Sequence, residues 1–180
     1  MRIIGGKYKG RYIKMPSGIR PTQNKVRKAI FDIIGDMRGL SFLELFAGSG
    51  AVGLEAASQG AREVVMAEDA TTCVPVIKKN ITSLGEANCI LYPFAADKTI
   101  KLLSSKRRRF DIIFLDPPYY WEEVKKTLQI LAGCDILAPN GFIVTQHFKK
   151  DNLPERLGDL VLFKQNTYGD TILSFYRKEA

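Results

Sequence analysis

The sequence predicts an α/β protein. Its core is a doubly wound, mostly parallel sheet, closed by a C-terminal antiparallel hairpin and preceded by a small basic hairpin-helix extension. Two observations predict this. From residue 42 onward, apolar runs of strand length alternate with amphipathic stretches of helix length. That β-α-β-α order implies parallel strands with helices on both faces. Near the C-terminus the pattern changes to two strand-like runs, 160–165 and 171–177, around a turn at 166–170.

The elements follow in order. Residues 2–13 read as a short hairpin, with Ile3-Ile4, Gly5-Gly6, Tyr8 and Tyr12-Ile13 around Gly10. Pro16, Gly18 and Pro21 mark a loop. Thr22 is a candidate N-cap for a helix in which Val26, Ala29, Ile30, Ile33 and Ile34 recur at helical spacing. A buried strand at 42–46 leads through Ala47-Gly48-Ser49-Gly50 into a helix at 51–59, ended by Gly60. Strands are expected at 63–68, 89–94, 110–116 and 141–147, and helices at 71–84, 97–105 and 121–132. Pro75 must then lie in the first turn of its helix. The domain expectation is a basic hairpin-helix extension at 1–38 and an α/β domain at 39–180.

Composition narrows the function classes. A chain of 180 residues, 46% hydrophobic and 26% charged, suits one soluble globular domain. No apolar run approaches the roughly 20 residues of a membrane span, and the start lacks the pattern of a secretory leader. A cytoplasmic location is expected. Cys73, Cys89 and Cys134 are dispersed and odd in number, which fits reduced, buried thiols better than disulfides or zinc. The single histidine, His147, ends an apolar run and reads as structural.

The charge is lopsided. Residues 1–28 hold nine basic side chains and no acidic one. Removing those nine from the 27 basic residues leaves 18 against all 19 acidic ones, a net of −1, while the whole chain carries +8. The excess therefore sits in the leader, which is an electrostatic footprint for a polyanion, above all nucleic acid. Ile3, Ile4, Tyr8, Tyr12, Ile13 and Met15 give it apolar anchors that a disordered tail lacks. The cluster Lys106-Arg107-Arg108-Arg109 reads equally well as a solvated helix end or as part of that surface.

In a doubly wound sheet, ligands bind beyond the carboxyl ends of the strands. The first such end reads Glu44-Leu45-Phe46-Ala47-Gly48-Ser49-Gly50. Glycine permits a sharp turn and close approach of a ligand, and the next helix offers free N–H groups. Gly48-x-Gly50-x-x-Gly53 matches the dinucleotide fingerprint, but Glu44 would set a carboxylate near a pyrophosphate. That carboxylate suits a ligand with a positive end, such as the amino group of a methionine moiety. Glu68 closes the next strand and is a candidate for the ribose hydroxyls, with Asp69 its competitor. Asp97, beyond the third strand, is placed either to meet an adenine amine or to cap its helix.

The fourth strand ends in Asp116-Pro117-Pro118-Tyr119. The prolines have no N–H and hold the backbone extended. Asp116 and the Pro117 carbonyl can then accept hydrogen bonds from one amino group, while Tyr119 offers a ring for base stacking. Methylation of an exocyclic amine has these requirements. Two acceptors make the nitrogen more pyramidal and nucleophilic, and a fixed pose sets it at attack distance. Neither a metal nor a covalent enzyme intermediate is required. A base within folded nucleic acid must first leave its stack.

Together these residues resemble the class I S-adenosylmethionine-dependent methyltransferases of nucleobase amines, which have a Rossmann-like sheet. Met1-Arg2-Ile3-Ile4-Gly5-Gly6-Lys7, Arg11, Arg20-Pro21-Thr22 and Val26-Arg27 narrow the resemblance. So do Phe46–Gly50, Gly53-Leu54-Glu55-Ala56 and Tyr168-Gly169-Asp170-Thr171. With these, the chain resembles the bacterial 16S ribosomal RNA guanine-N2 methyltransferases along essentially its whole length.

The resemblance implies that Glu44, Phe46, Ala47, Gly48, Ser49 and Gly50 bind S-adenosyl-L-methionine, with Glu68 on the ribose and Asp97 near the adenine. It implies that Asp116, Pro117, Pro118 and Tyr119 hold the target guanine. Arg2, Lys7, Arg11, Arg20 and Thr22 would grip 16S ribosomal RNA within a small-subunit particle, with the enzyme a monomer. Two positions depart from the family pattern: Glu44 stands where aspartate is more usual, and Asn24 where an acidic residue is usual. Two other readings stay open at this point. One is methylation of an adenine or cytosine amine in DNA; the other is a non-catalytic RNA-binding assembly factor.

Overall fold

The computed structural model describes residues 1–19, 22–118 and 121–179. The fold is α/β, with a mostly parallel sheet and antiparallel C-terminal strands, as the sequence predicts. The chain forms two compact units, Met1–Ala95 and Ala96–Ala180.

The first unit holds α1 (Asn24–Ile34), β1 (Ser41–Leu45), α2 (Ala51–Ser58), β2 (Glu63–Ala67), α3 (Val74–Leu84) and β3 (Cys89–Tyr92). Its strands run parallel in the order β3-β2-β1. Every residue of β1 is buried, as expected for a parallel strand with both faces covered. Phe42, Leu43, Leu45, Val64, Val65 and Met66 are fully buried and form its centre. Pro75 lies in the first turn of α3, where its missing N–H leaves no helix bond unmade.

The expected N-terminal hairpin is present in reduced form. Arg2 and Tyr12 form one antiparallel bridge, and Ile3 N–H donates to Arg11 O at 3.0 Å. Between them the chain makes a 3-10 turn at Gly6–Tyr8. The ladder stops because its N–H groups find better acceptors on α2. Ile4 and Gly5 donate to Glu55, and Tyr8 donates to Ser58. The N-cap expectation needs correction: α1 starts at Asn24, and its cap is Gln23, with no side-chain bond, rather than Thr22.

The second unit holds α4 (Ala96–Ser105), β4 (Phe110–Leu115), α5 (Trp121–Ala132), β5 (Leu137–Phe148), β6 (Arg156–Leu157), β7 (Leu160–Tyr168) and β8 (Thr171–Lys178). The order is β4-β5-β8-β7-β6, with β4 and β5 parallel and the rest antiparallel. β5 starts four residues before the expected Gly141. Pro139 suggests a break there, but the pairing with β4 shifts register between Phe110 and Ile112 and continues. β7 also runs on to Tyr168, so the turn is Gly169-Asp170 alone. Phe142, Phe163 and Phe175 pack with ring centroids 6.2–6.5 Å apart. The Tyr176 hydroxyl donates to Pro154 O, and burial pushes its pKa up to about 12. Among the described residues, no helix is long and apolar enough to cross a membrane.

Candidate active site

β1 leaves the sheet at Leu45 and turns through Phe46 (φ 61), Gly48 (φ 58) and Gly50 (φ 74) into α2. Gly50 N–H donates to Ala47 O at 2.7 Å, which closes the turn. A Cβ on Gly50 would stand 3.0 Å from Met66 Sδ, in a backbone conformation that L side chains rarely adopt. Gly53 is needed for a different reason. A Cβ there would meet Glu44 Oε2 at 2.7 Å; without it, the Gly53 N–H donates to that oxygen at 2.9 Å. Glu44 is 2% exposed, so its carboxylate sits under the turn, against the start of α2.

Glu68, just past β2, accepts from Gly48 N–H at 2.7 Å and from Ala70 N–H at 2.9 Å. Of the two acidic candidates after β2, Glu68 is therefore the one that braces the glycine turn, while Asp69 is exposed. Each carboxylate oxygen has further lone pairs beyond these bonds. Ala47 and Ser49 are buried, and Phe46 and Gly48 are half-buried. The structure thus brings Glu44, Phe46 to Gly50 and Glu68 together in the first unit.

In the second unit, Asp116 follows β4 directly and is half-buried. Gln146 Nε2 donates to its Oδ2 at 3.2 Å. The register explains the contact: Leu115 pairs with Thr145, so the next residue of each strand emerges alongside the other. Pro117 is buried and Pro118 exposed. Tyr119 lies outside the described residues. Asp97 sits half-buried in the first turn of α4, where a carboxylate is favoured by the helix dipole.

The leader residues are largely engaged within the protein. The Arg2 guanidinium lies 4.4 Å from the centre of the Tyr12 ring and bonds to its hydroxyl. Lys7 pairs with Glu86 at 3.2 Å, and its ammonium is held above the ordinary lysine range by Tyr8 and then by Glu86. Arg11 donates to Ser83 O at 2.6 Å. All three remain exposed and can also meet an anion. Thr22 is half-buried. Arg20 lies outside the described residues.

Several polar residues have roles that sequence reasoning missed. Arg27, one of the nine leader cations, is fully buried, with Nε 3.4 Å from Glu55 Oε2. Burial lowers its pKa, opposed by Glu55 and then Glu44. Glu55 also accepts from Ile4, Gly5 and Gln59. The signal for it was present, since a lone glutamate in the otherwise uncharged helix Ala-Val-Gly-Leu-Glu-Ala-Ala-Ser requires a buried partner. Asn80 and Gln146 gave no such signal. His147 is structural, with Nε2 2.7 Å from the Ser174 hydroxyl, and burial lowers its pKa. The three cysteines are free, and burial pushes the Cys89 thiol up to about 12, which makes it a poor nucleophile.

This fold, with its glycine turn, is that of the Rossmann-like methyltransferases. The chain belongs to the family described as Conserved hypothetical protein 95, whose model matches residues 1–177. It is 36% identical to "Putative rRNA methyltransferase YlbH" of Bacillus subtilis (strain 168), over 99% of each chain. It is 28% identical to "Ribosomal RNA small subunit methyltransferase D" of Escherichia coli (strain K12), over 100% of this chain and 91% of that one. The solved structure of a hypothetical protein from Thermus thermophilus superposes with a TM-score of 0.85 at 32% identity, covering 97% of this chain and 98% of that one. The family resemblance drawn from the sequence is therefore borne out. The relatives' names state methyl transfer and small-subunit RNA, but not the nucleobase.

Proposed function

We propose that this protein methylates the exocyclic N2 of one guanine in 16S ribosomal RNA, with S-adenosylmethionine as donor, in the cytoplasm. The observation that carries this reading is Asp116. It is a half-buried carboxylate at the carboxyl end of β4, followed by two residues without N–H, in a chain related to small-subunit RNA methyltransferases.

The glycine turn fits the donor. Among the described residues, a Cβ on Gly48 would have only Ile19 Cγ2 within 4 Å, at 3.8 Å, so these leave the backbone there open to a close ligand. Glu68 would hold the ribose hydroxyls on its remaining lone pairs, and Glu44 would favour the positive amino group. Asp97 would serve the adenine. The bound donor supplies an electrophilic methyl on a sulfonium.

Asp116 and the Pro117 carbonyl accept the amine hydrogens, and Tyr119 stacks on the base. Drawing on those hydrogens localises the nitrogen lone pair, which otherwise spreads into the purine ring. The nitrogen forms the new bond to the methyl carbon as the carbon–sulfur bond breaks, and its proton leaves to solvent past Asp116. Arg2, Lys7, Arg11, Arg20 and Thr22 contact the RNA backbone around the flipped base.

The test is methylation of small-subunit particles from a deletion strain, followed by mass analysis of their nucleosides. N2-methylguanosine is expected, and Asp116→Ala should cost roughly 10²–10³-fold in rate with the fold intact. N6-methyladenosine as the product, or full activity in Asp116→Ala, overturns the reading.

A further inference from the structure

Within the first unit, the leader is stitched to two helices, α2 and α3. Its inner arm, Ile4 to Tyr8, hangs on Glu55 and Ser58 of α2. Its outer arm, Arg11 to Lys14, hangs on the C-terminal half of α3. There Arg11 donates to Ser83 O, and the Ser83 hydroxyl donates back to Asn80 O at 2.9 Å.

Asn80 differs from the other stitches. It is 1% exposed, and its amide treats Lys14 as a strand would. Oδ1 accepts from Lys14 N–H at 2.8 Å, and Nδ2 donates to Lys14 O at 2.9 Å. The same Nδ2 donates to Ser49 O at 3.2 Å. One buried side chain therefore joins the basic leader to the glycine turn.

We propose that Asn80 is a positioning residue that couples the two binding sites, so that a ligand on the glycine turn strengthens the leader's hold on RNA, and the reverse. This rests on the function proposed above. A ligand that orders the Ser49 carbonyl orders the Asn80 amide, which in turn orders the backbone at Lys14. The second ligand then meets a segment with less conformational freedom to lose. The two effects must be equal, because coupling between binding sites is reciprocal.

The experiment measures four affinities on the full chain. S-adenosylhomocysteine is titrated by calorimetry with and without a saturating 16S RNA transcript. The transcript is titrated by filter binding with and without S-adenosylhomocysteine. In the wild-type protein each ligand should tighten the other by one common factor, about 5-fold or more. In Asn80→Ala both ligands should still bind, with that factor reduced to about 1.

A second pair of variants covers the case in which Asn80→Ala does not fold. Lys14→Pro removes the N–H that Asn80 accepts, and Lys14→Ala removes only the charge. Lys14→Pro should lose the coupling and Lys14→Ala should keep it. Two ligands that bind the wild type independently overturn the inference. So does an Asn80→Ala protein that melts earlier but keeps the factor, which is what a merely structural role predicts. A wild-type protein that binds neither probe overturns the proposed function itself.

Discussion

The turn after β1 and the turn after β4 solve opposite problems. The glycine turn exposes backbone donors: Gly48 N–H meets Glu68, and Gly53 N–H meets Glu44. Its glycines leave room for carboxylates to reach those donors. The proline turn removes donors, since neither Pro117 nor Pro118 has an N–H. What it retains are acceptors, namely Asp116 and the backbone carbonyls. A donor-lined turn suits carboxylate side chains. An acceptor-lined turn suits an amine. The sharpest sequence-level clue to function is thus which backbone groups each turn withholds.

The contrast predicts unequal tolerance to substitution. Gly50→Val should do most damage. It forces a β-branched residue to φ 74 beside Met66 Sδ and Ile77, at a cost of about 2–5 kcal/mol. A fall in the urea midpoint and loss of S-adenosylhomocysteine binding by calorimetry would register it. If Gly50→Val were neutral, the turn would not be sterically determined.

Glu68→Gln comes next. The amide keeps one acceptor and sets its NH₂ against a backbone N–H, costing about 1–3 kcal/mol. Nucleoside affinity should weaken roughly tenfold, which is about 1.4 kcal/mol. Unchanged affinity would mean that Glu68 only braces the turn.

Pro118→Ala should be mild, because the residue is exposed and the change acts mainly on the unfolded chain, at about 1 kcal/mol or less. Methyl transfer should survive. A dead Pro118→Ala protein would show that the second missing N–H is itself required.

The smallest effect is acid sensitivity on β5, the strand beside the proline turn. His147 has its pKa lowered by burial, so the unfolded chain binds its proton more readily. The stability it contributes is present above the ordinary histidine value and is lost as pH falls through the lowered folded one. Protection against hydrogen exchange, measured relative to the intrinsic exchange rate at each pH, should therefore fall around β5 and β8 on mild acidification, while β1 and β2 hold. His147→Gln should flatten that dependence; an unchanged profile would assign it to other groups.

Much of this molecule was legible in its residues because the signals are short-range. The spacing of Val26, Ala29, Ile30 and Ile33 announces α1, and the apolar run at 110–115 announces β4. Pro75 sits at the start of its helix, as a residue without an N–H must. Thr22 as cap, a full hairpin at 2–13 and a late start for β5 are sound local readings. The last two failed for one reason, a partner distant in sequence: Glu55 and Ser58 took the N–H groups of the leader, and β4 carried the pairing of β5 past Pro139.

By itself, then, the sequence determined the succession of strands and helices, the glycine turn, the acceptor-bearing turn at Asp116 and a leader rich in positive charge. Tertiary structure alone decided that Arg27 lies inside against Glu55 rather than out toward RNA, that Gln146 meets Asp116, and that Asn80 joins Lys14 to Ser49. Periodicity and turn chemistry act over a few residues, so they can be read in order along the chain. The burial of a charge or an amide depends on which distant group arrives to satisfy it, and only the folded chain specifies that.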